Sequence, residues 1–293
     1  MARAQVGTLE LEYETFGDPS NPPLLLVMGL GAQMLSWDDG FCRLLVDRGF
    51  FVIRFDNRDI GLSTKTDGTP PALEDVMMTR LTGGHPDVPY LLADMAADAW
   101  GLLDSLGIDR AHIVGASMGG MIAQSMAIAQ PARVLSLTSI MSNTGDLTVG
   151  QAEPAFLGEL MAVQPTSPET AVESGIALQR LISGPLFDEA QARDHTQRSF
   201  DRSFHPAGVL FQTAAIFSSP DRTAALRTLM IPTLVLHGRV DQLVPLSGGE
   251  ATAAAIPGSR LLVLDQMAHD LPEALWPEAV DAIAEVAGVA ATP

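Results

Sequence analysis

Short apolar runs and longer stretches of mixed polarity take turns along most of this chain. Residues 24–28, 50–55, 111–114, 134–140, 233–236 and 261–264 are rich in Leu, Ile, Val and Phe and have the length of strands. A strand that is apolar on both sides has to be covered on both faces. Such runs, with helical segments between several of them, predict an α/β fold built on a mostly parallel sheet between two helix layers. Residues 7–16 read differently. Leu9, Leu11 and Tyr13 alternate with Thr8, Glu10 and Glu12, the pattern of an antiparallel strand with one solvated face. Residues 94–106 carry Met95, Ala99, Leu102, Leu103 and Leu106 at helical spacing, with Asp94 in place as an N-cap and Gly107 as the residue just past the end.

The alternation breaks between about residues 143 and 220. No solid strand-like run occurs there, and Pro165, Pro168 and Pro185 punctuate short helical patterns such as residues 169–182. The stretch also holds Phe200, Phe204, Phe211 and Phe217. We read it as a helical insertion lying over the carboxyl edge of the sheet. This divides the chain into a first part of the core (1–143), a helical cap (144–220) and a second part of the core (221–293). Residues 63–89, irregular and rich in Gly, Pro and Thr, are expected on the same rim.

A length of 293 residues with 47% apolar positions is enough for one large core plus an insertion. The formal net charge is −18. So acidic a surface repels phosphate backbones and anionic membranes, which argues against a nucleic-acid partner. Residues 111–130 lack Asp, Glu, Lys and Arg, but His112, Ser117, Gln124 and Ser125 are costly in lipid, so a buried strand and helix explain that run better than a membrane span. Cys42 is the one cysteine, which rules out a disulfide framework or a cysteine metal site and reads as a buried small hydrophobe. The first residues show no apolar leader, so the expected location is cytoplasmic.

Within this frame, Gly115-Ala116-Ser117-Met118-Gly119 stands between a strand-like run and a helix-like run. The five-letter pattern alone arises by accident in roughly one chain in ten of this length. Its context is what matters. A strand that turns sharply into a helix needs small residues at the corner, and it thrusts the serine hydroxyl out over the sheet at a helix N-terminus. A serine hydroxyl needs a neighbouring base, for which histidine is suited, and a carboxylate to orient that base.

Six histidines compete for the role. His269 follows the last strand-like run, the place for the last member of such a triad. His112 lies inside the strand before the turn, His237 reads as a structural hydrogen-bonding residue, and His85, His195 and His205 fall in the irregular stretches. Asp241, in His237-Gly238-Arg239-Val240-Asp241, is the leading acid and Asp146 the alternative. Oxyanion stabilisation calls for two backbone N–H donors, here Met118 after the serine and Leu30 in the loop Met28-Gly29-Leu30-Gly31. Met28, Met118 and Met267 flank these positions. Met28 and Met267 are read as substrate-binding, part of an adaptable apolar wall. Arg58, Asp56 and Asp59 are read as paired charges tying down a loop rather than as catalysts.

Together these segments resemble the α/β-hydrolase superfamily over essentially the full chain. Val27 to Gly31, Phe55-Asp56-Asn57-Arg58-Asp59-Ile60-Gly61-Leu62-Ser63 and Ile113 to Gly120 make the chain similar to serine esterases of the aclacinomycin methylesterase type and to mycobacterial lipase/esterase-like proteins. The resemblance implies an eight-stranded-type sheet, a Ser117–Asp241–His269 triad, a helical cap and hydrolysis of small to medium apolar esters through an acyl-enzyme, with no cofactor and no metal. Many members of the superfamily have His-Gly where this chain has Met28-Gly29. The same triad also serves lactonases, C–C bond hydrolases and cofactor-free perhydrolases or haloperoxidases, and a non-catalytic small-molecule receptor is a reading from another class. Haloalkane dehalogenases and epoxide hydrolases need a carboxylate at position 117. The pattern sets no oligomeric state.

Overall fold

Strands that are apolar on both sides occupy the middle of the sheet. The computed structural model describes residues 1–163 and 167–289; Pro165 lies outside them. Eight strands, β1 (Ala2–Val6), β2 (Leu9–Phe16), β3 (Pro23–Val27), β4 (Phe51–Phe55), β5 (Ala111–Ala116), β6 (Val134–Ile140), β7 (Thr233–Gly238) and β8 (Arg260–Leu264), make one sheet in the order β1-β2-β4-β3-β5-β6-β7-β8. The β1–β2 and β2–β4 pairings are antiparallel, and every other pairing is parallel. Every residue of β5 and β7 is buried. β1 was not foreseen: its side chains run Ala, Arg, Ala, Gln, Val, and only Ala4 is buried.

Helices fill the crossovers and follow the last strand: α1 (Asp39–Asp47), α2 (Leu73–Leu81), α3 (Leu92–Ser105), α4 (Met118–Ala129), α5 (Pro154–Ala162), α6 (Ala171–Ile182), α7 (Glu189–Arg202), α8 (Pro206–Ser218), α9 (Thr223–Leu226) and α10 (Leu246–Ala255) lie between strands, and α11 (Trp276–Ala287) comes after β8. One apolar core lies between the sheet and α3, α4 and α10 and includes Trp100, Leu103, Ile122 and Met126. The other lies between the sheet and α1 and α11 and includes Phe41, Leu45, Trp276 and Ile283. Cys42 belongs to the second core, where burial pushes its thiol up to about 12. No helix among the described residues is long and apolar enough to cross a membrane.

Three local expectations need correction. Asp94 is not the N-cap of α3. It sits three residues into the turn, where its carboxylate accepts from Leu91 N–H at 2.7 Å, so it satisfies a helix-end donor from the other side of the turn. Residues 63–89 are not irregular throughout, because α2 forms there and packs on α8. His195 is on α7, in reach of Ser36 Oγ at 3.1 Å, rather than in an irregular stretch. Gly107 does end α3, at φ +72°.

The four helices α5 to α8 all lie between β6 and β7. Their polar side chains bind the core at several places. Arg202 pairs with the fully buried Asp56 at 2.7 Å and donates to Gln33 Oε1 at 2.7 Å. Gln33 in turn donates to Ser199 O and Ser203 O at 2.6 and 2.9 Å.

His112 gives the fold a pH dependence. It lies on β5 with Nδ1 2.8 Å from Ser136 Oγ and its ring edge-on to Phe50. Burial holds its pKa down at about 4 from an ordinary 6.5. The unfolded chain therefore binds a proton at higher pH than the folded one. Stability is fully present above pH 6.5 and is lost as pH falls toward 4, by at most about 3 kcal/mol. Burial lowers His195 and His237 in the same direction. We predict that the melting temperature falls between pH 7 and pH 4.5, and that His112→Gln makes this fall shallower. An unchanged slope in the variant would rule out the assignment.

Candidate active site

The position of the site follows from strand order. β3 connects to β4 on one side of itself and pairs with β5 on the other, so crossovers leave in opposite directions and a crevice opens above the carboxyl ends of β3 and β5. The Met28–Gly31 loop leaves β3 there, and the turn to α4 leaves β5 there.

That turn is made within one residue. Ser117 has φ +56° and ψ −122°, outside the usual range for a side-chain-bearing residue. Its N–H donates to Ile140 O at 2.9 Å, and its carbonyl accepts from Gly120 and Met121 N–H at 2.9 and 3.2 Å. The glycines allow it. A Cβ on Gly115 would strike the backbone of Gly119 and Gly120, and one on Gly119 would strike Val27 O and Met28 O. A Cβ on Gly29 would stand 3.1 Å from Ser117 Cβ. The loop after β3 thus rests directly against the serine.

Two more loops close over it. Ser117 Oγ is 2.9 Å from His269 Nε2, and His269 Nδ1 is 2.8 Å from Asp241 Oδ2. An ionised carboxylate only accepts, so Nδ1 carries the ring proton and Nε2 is free to take one from Ser117. The other oxygen of Asp241 accepts from Leu243 and Val244 N–H, both at 2.9 Å. Asp241 and His269 are both buried. His237 donates from Nε2 to Val244 O at 2.7 Å, and burial draws its pKa below the ordinary value. Gly238 has a spatial reason: a Cβ there would meet Met267 O and Ala268 O, so only glycine lets the His269 loop cross. His269 N–H donates to Ile182 O at 2.9 Å, at the end of α6. Asp270 accepts from Ala268 N–H at 3.0 Å and Gly184 N–H at 3.3 Å.

The alternative acid, Asp146, accepts from Thr148 N–H and Oγ1 in its own turn, and that hydrogen bonding holds its carboxyl below the usual range. Leu30 and Met118 flank the serine. No hydrogen bond among the described residues uses either N–H, and Leu30 is exposed. The methionines depart from expectation. Met118 and Met267 are fully buried, one in each core. Of the three, only Met28, half-buried at the edge of the second core, has surface left to offer a ligand. The expected wall through Met267 is corrected accordingly: nearness in sequence does not fix the direction of a side chain.

Arg58 holds neither Asp56 nor Asp59. It binds Asp98 of α3 through two hydrogen bonds of 2.5 and 2.7 Å. Asp59 instead accepts from Tyr90 Oη and from Thr66. Two supporting side chains escaped the sequence reading. Asn57 Nδ2 donates to Met28 O at 2.9 Å, and Gln212 Oε1 accepts from Gly31 N–H at 2.9 Å. Gln212 is the lone amide in an apolar run of α8, which is the signal that marks it.

The comparisons agree with this architecture. The sequence profile of the alpha/beta hydrolase fold matches residues 22–273. A rhodomycin D methylesterase of Streptomyces peucetius is 31% identical over 287 residues, covering 89% of each chain. A putative carbamate hydrolase of Variovorax paradoxus is 29% identical, covering 89% of this chain and 90% of its own. The crystal structure of a hydrolase from Pseudomonas aeruginosa superposes with a TM-score of 0.72 at 25% identity, covering 98% of each chain. The chain belongs to the alpha/beta hydrolase family. It is an enzyme of the ester-hydrolase class, and its likeness to methylesterases is borne out.

The strain at position 117 can be measured apart from chemistry. Ser117→Gly and Ser117→Ala both remove the hydroxyl, but only glycine accepts φ +56° freely. Strain of this kind costs about 1–3 kcal/mol, partly offset by the extra unfolded-state entropy of glycine. The Ser117→Gly protein should melt a few degrees above Ser117→Ala. The reverse order in calorimetry would mean that the turn is unstrained.

Proposed function

We propose that the protein is a serine esterase that works through an acyl-enzyme, with Ser117 as nucleophile, His269 as general base and acid, and Asp241 as the carboxylate that orients it. The observation that carries this reading is the pair of hydrogen bonds joining Ser117 Oγ, the His269 ring and Asp241, at 2.9 and 2.8 Å, at the switch point of the sheet. His269 Nε2 takes the Ser117 proton as Oγ attacks the ester carbonyl. Negative charge moves to the carbonyl oxygen, where Leu30 and Met118 N–H receive it; both donors are otherwise uncommitted. The tetrahedral adduct collapses, His269 gives its proton to the departing alkoxide, and the acyl group remains on Ser117. Water attacks the acyl carbonyl as it gives its proton to His269, and the second adduct collapses to the free acid while His269 returns that proton to Ser117 Oγ. Asp241 keeps the Nδ1 proton in place and stabilises the imidazolium.

Residues 144–220 form the cap in this reading. The contacts of α6, α7 and α8 with the loops of His269, Gln33 and Gly31 support it. The substrates are small to medium neutral esters. A methylesterase and a putative carbamate hydrolase among the relatives support an uncharged carbonyl compound, and the net charge of −18 disfavours anions.

Ser117→Ala should abolish p-nitrophenyl ester turnover in a folded protein, a loss of several orders of magnitude. Asp241→Asn should lower kcat by about 10³- to 10⁴-fold by favouring the wrong His269 tautomer, while Asp146→Asn leaves kcat within a few fold. Near-normal turnover by Ser117→Ala would end the reading, and the opposite ranking of the two aspartates would move the acid to Asp146.

Charge is tested with matched neutral and carboxylate-bearing esters at two ionic strengths. Neutral esters should have the higher kcat/KM, by a margin that narrows as salt rises. Equal use of the anionic esters at low salt would remove charge as a determinant.

A further inference from the structure

Leu30 is flanked by Gly29 and Gly31, so the backbone by itself holds its N–H in no particular direction. An oxyanion donor is useful only when it is already aimed before charge develops. Something outside the loop must fix it. The turn bond from Ala32 N–H to Gly29 O is long, at 3.3 Å. Asn57 anchors the carbonyl of Met28, upstream of Leu30. Downstream, the side-chain hold nearest to Leu30 is on Gly31 N–H, which donates at 2.9 Å to Gln212 Oε1.

Gln212 is built for that contact. It is fully buried. Its Nε2 donates to Arg58 O at 2.9 Å, so the amide cannot turn over without losing both bonds and opposing like groups. Arg58 is itself clamped by two hydrogen bonds to Asp98. One turn earlier on α8, Val209 occupies the space beside Gly31, 3.2 Å from where a Cβ would stand. Gly31 lies at φ +69°. The helix therefore presses on the loop through Val209 and holds it through Gln212, on one face of α8.

We propose that Gln212 is a positioning residue for the oxyanion: through Gly31 it keeps Leu30 N–H aimed at the carbonyl oxygen of the substrate. This rests on the esterase reading given above. Gln212 touches no reacting atom, so its removal should weaken stabilisation of the tetrahedral adduct and leave ground-state binding alone. A buried amide with a purely structural role would lower the melting temperature and nothing else.

The test uses the full chain and three quantities: kcat and KM for p-nitrophenyl butyrate, Ki for the matching alkyl trifluoromethyl ketone, and the melting temperature. Ser117 Oγ adds to that ketone and His269 takes the proton, leaving a hemiketal oxyanion in the same place as that of the ester adduct. Gln212→Met keeps the length and removes both hydrogen bonds. We expect kcat to fall about 10- to 100-fold, less than the loss of a whole donor, with KM within threefold and Ki raised by the factor that kcat loses. Gln212→Glu, kept protonated by full burial, offers an acceptor to Gly31 N–H and a donor to Arg58 O, and should restore kcat and Ki to within about fivefold of the native enzyme. Should Gln212→Met fail to fold, Gln212→Asn, which withdraws the acceptor by one methylene, is read in the same way. A folded Met or Asn variant with native kcat and Ki overturns the proposal, as does a fall in kcat without a matching rise in Ki. Ser117→Ala run alongside separates the two ideas. If it stays active the esterase reading fails and takes the proposal with it; if it is inactive while Gln212→Met is native, only the proposal fails.

Discussion

A strand has to become a helix at Ser117 with the carbonyls of the neighbouring strand already in the way. Gly119 has no room for a Cβ against Val27 O and Met28 O, and Gly115 has none against Gly119 itself. This three-way approach of β3, β5 and α4 brings the Met28–Gly31 loop against the serine, and it leaves the first N–H of α4 unpaired beside it. The unusual backbone of Ser117 persists because the two flanking strands and the helix over-determine it: its N–H is held by β6 and its carbonyl by the first turn of α4. Arrangement of the other two loops then needs little more than their place in the sheet order, since β7 and β8 deliver Asp241 and His269 to the same edge.

Around that corner the polar groups form a chain of supports rather than a set of isolated pairs. Asp241 spends one oxygen on two backbone donors and the other on His269, so its charge is compensated where water is excluded. Arg58 binds Asp98, and its carbonyl receives Gln212, which holds Gly31. Asp56 takes Met34 N–H, Leu62 N–H and Arg202 together. Each of these charged groups thus fixes a loop beside the site.

Much of this was legible in the chain. Doubly covered strands have to be apolar on both faces, so β3 to β7 announce themselves as solid runs; β8 reads the same way although it is an edge strand with Arg260 and Leu261 exposed. The residues that meet at hydrogen-bonding distance, Ser117, His269 and Asp241, are the ones that chain order selects. What was hidden is what order along the chain does not carry. β1 pairs through its backbone and buries only Ala4, so it leaves no apolar pattern. α2 leaves Met77, Met78 and Leu81 exposed, so it shows no single apolar face. Met267 turns inward although it stands two residues from His269. The partner of Arg58 lies forty positions away, while two carboxylates sit close by in sequence. Gln212 was visible as a polar residue in an apolar helix, but its partner was not.

The backbone of His269 hangs from the last carbonyl of α6, and Asp270 grips Gly184 just beyond. The stretch between β6 and β7 is therefore joined to the loop after β8 before β7 begins. As building blocks, residues 182–184 travel with the histidine loop. A chimera that exchanged the whole stretch between β6 and β7 for that of a relative would cut this joint and leave the histidine without its anchor. An exchange that begins after β6 and stops short of Ile182 would alter α5 and most of α6 and spare the hinge pin.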